Sequence, residues 1–152
     1  GAAELVEECG PVLRSMGDPE ALAALSVLQG IAAARTGDAA TAGEALGTAL
    51  HGYHRLGHVW GLSLALHLAA ELAAGRGDQA AAVSLLGTSA ALRDSVGAAV
   101  MPFNQVWIDA ALARARAVLT PAAFETAWRT GYADPPGAVI GGALRAAGVA
   151  HE

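Results

Sequence analysis

GDAATAGEALGTALHGYHRLG, residues 37–57, is the stretch whose reading decides the fold. Gly37 and Asp38 supply a break and a helix cap. Ala42, Ala45, Leu46, Ala49, Leu50, Tyr53 and Leu56 then follow the i, i+3, i+4, i+7 spacing of one apolar helix face without interruption. Gly57 closes the segment. The pair Gly37-Asp38 returns as Gly77-Asp78, forty residues later, and Gly17, Gly57 and Gly97 keep the same interval. A fixed period of roughly 20–50 residues marks stacked-repeat architecture, because one two-helix unit cannot bury its apolar face without neighbours.

Working outward from this stretch, starts and stops predict about eight helices. The first covers Ala3 to Met16, with Pro11 expected to kink or divide it. Asp18-Pro19-Glu20 opens the second, an N-cap with proline at the first helical position and an acid near the positive end of the dipole. The third runs from Asp38 to Gly57, an apolar fourth from Val59 to Arg76, a fifth from Gln79 to Val96 and a sixth from Pro102 to Leu119. Thr120-Pro121 begins the seventh, with Leu119 and Phe124 placed as a hydrophobic staple around its cap. Asp134-Pro135 begins a last short helix toward Ala147. The reading is a single all-α domain over residues 1–152 made of antiparallel helix pairs. Its repeat units are 18–57 and 58–97, and its capping helices span 102–147. The N-terminus opens close to a helical pattern already under way, so the chain is expected to be a piece of a longer protein.

Composition narrows function. All nine basic residues are arginines, scattered from Arg14 to Arg145, and fourteen acids leave a net charge of −5. A nucleic-acid reader would cluster basic charge on one face, so direct nucleic-acid binding is not expected. Val59 to Ala74, the most apolar run, is interrupted by His67 and Glu71 and is short for a bilayer, which needs roughly twenty apolar residues. It reads as a central helix buried on most sides. Cys9 is the single cysteine, so no internal disulfide can form and a reducing, cytoplasmic setting is expected.

Candidate chemical sites are sparse. His51, His54 and His58 fall at i, i+3 and i+7, a spacing that could gather zinc ligands, but Gly57 breaks the helix before His58 and no metal site is expected. No GxSxG elbow, HExxH, phosphate loop or dinucleotide fingerprint occurs. Cys9 has only Glu7 and Glu8 close in sequence, neighbours that raise a thiol's pKa. His67 and Glu71 form an i, i+4 pair able to orient an imidazole for general-base work, weighed against a solvated or partner-facing polar pair. The second reading is preferred, so no enzyme activity and no cofactor are expected.

The repeats resemble tetratricopeptide units. Gly30, Gly37, Asp38, Ala42 and Ala49, and again Ala70, Gly77, Asp78 and Ala82, stand where that motif places small residues and a turn, although forty residues exceeds its usual period. The C-terminal half carries a more specific resemblance through Leu85-Leu86-Gly87, Ala91-Leu92-Arg93, Gly97, Pro102, Ala115-Arg116-Ala117, Leu119, Phe124, Ala127-Trp128, Gly131, Ala138 and Ala143-Leu144. Over residues 77–144 it is similar to the C-terminal helical-repeat region of large bacterial transcriptional regulators and predicted signalling ATPases of the LuxR or SARP type. That resemblance implies a tetratricopeptide-like α-α superhelix serving as a non-enzymatic interaction or signal-input region.

Trp128, with Phe124, reads as core of the cap, and Trp60 as packing at the start of the fourth helix. The forty-residue register aligns Trp107 with His67 and Val27, on the first helix of each repeat, which faces the inner groove in tetratricopeptide folds. Trp107 could equally belong to groove or core. Carrying the register across three units places Val27, Ile31, Arg35, Leu64, His67, Glu71, Asn104, Trp107 and Arg114 on the inner face, a mixture suited to a partner with an apolar group and a polar end. A protein or peptide partner is expected, other domains of the same chain included. The alternatives are a small-molecule effector enclosed by the groove, or self-pairing into a homodimer.

Overall fold

In the computed structural model, residues 2–100, 102–134, 138, 141 and 142 are described. They form helices α1 (Ala2–Met16), α2 (Pro19–Arg35), α3 (Ala39–Leu56), α4 (Val59–Gly75), α5 (Gln79–Ser95), α6 (Pro102–Val118) and α7 (Pro121–Ala133), with no strand among the described residues. The fold is all-α. Helix α1 runs through Pro11 without dividing. The last helix expected toward Ala147 lies, for the most part, outside the described residues.

The turns repeat in kind as well as in position. At the α2–α3 and α4–α5 turns, Gly37 and Gly77 adopt φ of +85° and +84°, while Gly17, Gly57 and Gly97, at the alternate turns, all adopt +64°. This left-handed conformation pushes a Cβ against the following carbonyl oxygen, which glycine alone avoids at no cost. Behind Gly37 and Gly77 the chain closes a double hydrogen bond onto the helix end. Asp38 N–H donates to the Ala33 carbonyl at 2.9 Å and Gly37 N–H to that of Ala34 at 3.2 Å; Asp78 and Gly77 do the same to Ala73 and Ala74 at 3.0 and 2.9 Å. The aspartates then cap the next helix, Asp38 accepting from Thr41 N–H at 3.1 Å and Asp78 from Ala81 N–H at 3.0 Å.

Consecutive helices pack as antiparallel pairs, and α2 also packs directly on α4. Helix α4 is the centre of the core, buried on every face from Gly61 to Ala73 except at the half-buried Leu62. No described helix is long and apolar enough to cross a membrane. Stacking changes character after α5. Helix α7 lies against α5, with Gly131 against the Ser84 carbonyl oxygen and Gly87 against that of Trp128, so closely that a Cβ at either glycine would collide with backbone. Hydroxyls seal this crossing, Ser84 donating to the Ala127 carbonyl at 2.8 Å and Thr88 to that of Gly131 at 2.7 Å. Helix α6 does not pack backbone to backbone on α4, and the two meet through long side chains.

The expected staple is present. Leu119 and Phe124 both pack on the Val83, Ala115 and Ala127 cluster, around a Thr120 cap that accepts from Ala123 N–H at 3.1 Å. Trp128 packs against both apolar clusters, and Trp60 packs on the main core with its ring edge toward His58.

Candidate functional site

The gap between α4 and α6 is where the charged groups meet. Glu71, 9% exposed near the end of α4, faces three basic side chains. Nη2 of Arg114, from α6, donates to both carboxylate oxygens at 3.1 and 3.0 Å. Nη2 of Arg35, from the last turn of α2, lies 3.8 Å away, and Nε2 of His67, one helical turn back on α4, lies 3.3 Å away. Burial alone would raise the Glu71 carboxyl pKa; the His67 hydrogen bond and the charges of His67, Arg114 and Arg35 outweigh it and hold the group below its ordinary value. An ionised carboxylate can only accept, so the His67 proton facing it is on Nε2.

Trp107 closes the arrangement. Its ring meets His67 edge to face at a centroid separation of 6.4 Å, and the Arg35 guanidinium carbon lies 5.2 Å from its centroid. Trp107 is half-buried, packing on the core while keeping an exposed part. Among the described residues, two buried side-chain atoms have no hydrogen-bond partner: His67 Nδ1 and Oδ1 of Asn104, the residue one turn before Trp107 on α6. Orphaned buried polar atoms are uncommon in folded chains.

The expected inner-face residues thus divide. Arg35, His67, Glu71, Trp107 and Arg114 meet in one network, and Asn104 is buried one helical turn away from Trp107. Val27, Ile31 and Leu64 do not line an open groove. They are buried in the main core, because α2 and α4 pack directly on each other and close that part of the inner face. The His67–Glu71 pair, expected to be solvated or partner-facing, is also buried, so its imidazole is not presented to a substrate. The network's surface consists of Trp107 and the two arginine side chains, 31% exposed at Arg35 and 49% at Arg114.

No known family model, curated protein or solved structure matches the chain.

Other candidate sites carry less. His58 Nδ1 caps α4 by accepting from Gly61 N–H at 2.9 Å and its Nε2 faces Glu20 at 3.5 Å, while His51 and His54 are exposed on α3. Among the described residues no three metal-ligating groups converge. Beside Glu71, bordered by Ala34, Gly37, Leu72, Gly75 and Arg76, is a cavity of about 100 Å³. A hollow of about 300 Å³ lies at the staple between α6 and α7, where Arg116 stacks over the Phe124 ring at 4.5 Å.

A second buried polar cluster lies between α4 and α5, where Ser63, Ser89 and Arg93 bond to one another. Motif reading missed it. A signal was nonetheless present: the forty-residue register aligns the three with Ala23, Ala49 and Tyr53, an apolar set.

Proposed function

We propose that this chain is a non-enzymatic interaction domain, the signal-input part of a cytoplasmic bacterial transcriptional regulator, which captures a protein or peptide segment at Trp107. One observation carries the proposal: Trp107 keeps an exposed part with the Arg35 guanidinium 5.2 Å from its ring, and Arg35 and Arg114 share a single buried carboxylate. The two guanidinium groups bring two positive charges to one carboxylate. The surplus favours a partner with an acidic group beside an apolar one, with Trp107 supplying contact area and Arg35 and Arg114 choosing orientation. The similarity of residues 77–144 to the C-terminal region of LuxR- or SARP-type regulators supports the setting. The all-helical repeat fold supports a binding role over a catalytic one.

The small-molecule alternative is less favoured, since the cavity beside Glu71, at about 100 Å³, is below the roughly 300–1,000 Å³ of typical ligand pockets. Selection of displayed random peptides against the domain tests the proposal. Recovered peptides should pair an acidic residue with an aromatic or aliphatic one. Trp107→Ala should weaken them by roughly 2 kcal/mol, the scale of a binding hot spot, while leaving the helical signal and cooperative melting in place. Peptides without acidic residues, or peptides indifferent to Trp107→Ala, would count against this surface.

A further inference from the structure

The two repeats provide an internal comparison at one buried position. Register lays Ser63, Ser89 and Arg93 of the second repeat on Ala23, Ala49 and Tyr53 of the first. All six residues are buried. The first repeat therefore shows that two alanines and a tyrosine fill this junction without any charged group. In the second, Ser63 Oγ and Ser89 Oγ are 2.7 Å apart, Ser89 donates to the Ser63 carbonyl at 2.9 Å, and Arg93 Nη1 donates to both hydroxyls at 2.7 Å. Placing a guanidinium here is unfavourable: burial pushes the Arg93 pKa down against the opposing influence of Asp94. Apolar replacement of such buried charges is often neutral or stabilising, so packing does not account for the cluster.

What the cluster does is fix the guanidinium plane. The two serines take both hydrogens of Nη1. Nε–H and the N–H of Nη2 that runs parallel to it form the side of the guanidinium that grips two oxygens at once. Neither nitrogen has a hydrogen bond to a described residue, and no described carboxylate lies within ion-pair distance of Arg93. Asp94, the neighbouring acid, accepts instead from the Tyr132 hydroxyl at 2.8 Å. Arg93 keeps 7% of its surface exposed, so the residue is not wholly sealed from solvent.

We infer that Arg93, held in place by Ser63 and Ser89, is a binding site for one oxyanion, a phosphate or carboxylate group taken side-on by Nε and Nη2. The site shares no residue with the Trp107 network and does not depend on the function proposed for it.

Nitrogen-15 spectra of the arginine Nε–Hε groups test this directly. The protein is titrated with sodium phosphate, and separately with sodium acetate, at an ionic strength held constant with chloride. The Arg93 signal should shift and saturate with a Kd on the order of 1–10 mM, while exposed Arg129 drifts linearly. A stronger response to phosphate assigns the site to phosphoryl groups, and a stronger response to acetate assigns it to carboxylates. Ser63→Ala/Ser89→Ala/Arg93→Tyr, which copies the first repeat, should fold with an undiminished Tm and lose the saturable shifts of neighbouring backbone amides. Arg93→Lys keeps the charge but loses the fork, and should weaken binding about tenfold or more. Linear drift of Arg93 in both titrations, an unchanged Kd in Arg93→Lys, or failure of the triple variant to fold would each overturn the inference.

Discussion

Glu71 shows how one side chain can be both buried and charged. Its carboxylate is buried with His67, Arg35 and Arg114 directed at it, and its pKa is held below the ordinary 4.5. The folded-state pKa lies below the unfolded one, so the stability it contributes is fully present above the unfolded value and is lost as pH falls through the folded value. Glu71→Gln removes that component. Urea melts from neutral to acidic pH should therefore show wild type losing its advantage over Glu71→Gln below about pH 4.5, with the two curves converging as acid increases. A constant gap across that window would show that the carboxylate is not favoured in its charged form. The same residue shows what sequence could supply. Spacing placed His67 and Glu71 on one face and the repeat register brought Arg35, Trp107 and Arg114 toward them, but neither could tell that Val27, Ile31 and Leu64 would be sealed. That outcome depends on how closely α2 approaches α4, which small residues permit but do not specify.

Helices in this chain are delimited by their ends and spaced by their small residues. Both are legible in the sequence. Asp18, Asp38, Asp78 and Thr120 cap the helices they were expected to open, and helix boundaries agree to within about two residues, the ordinary uncertainty of helix ends. Of the two outcomes expected at Pro11, a kink or a division, division does not occur, since α1 continues through it; one lost backbone hydrogen bond does not end a helix that packs along α2. Close crossings make the sharper predictions. Ala42 and Ala82 are buried at equivalent positions of the two repeats, so Ala42→Leu or Ala82→Leu should cost about 1–3 kcal/mol by overpacking, read from chemical denaturation. Gly131→Ala meets the Ser84 backbone, which cannot swing aside as a side chain can, and should cost at least as much. Gly77→Ala has open space around it and is penalised only by its left-handed backbone, by about 1–2 kcal/mol. Contact of α7 with α5 rather than mainly with α6 was not legible, since it depends on two glycines meeting backbone across 44 residues of chain, Gly87 to Gly131.

At the scale of the whole molecule, a net charge of −5 with dispersed arginines gives no broad surface for a polyanion. Fluorescence anisotropy with labelled duplex DNA at moderate salt should show no binding, and tight, salt-sensitive binding would overturn that expectation. The alternating turns have a consequence for how such a chain can change length. Glycines recur every twenty residues, but the backbone angle at them alternates between about +64° and about +85°, so a given kind of turn returns only after forty. Excising or duplicating forty residues joins like to like and leaves every downstream helix pointing as before. A change of twenty would splice unlike corners and reverse the direction of everything that follows. This protein therefore has a natural quantum of growth, a helix pair, and a version with residues 58–97 copied in tandem should gain helical signal in proportion and melt no earlier than the parent.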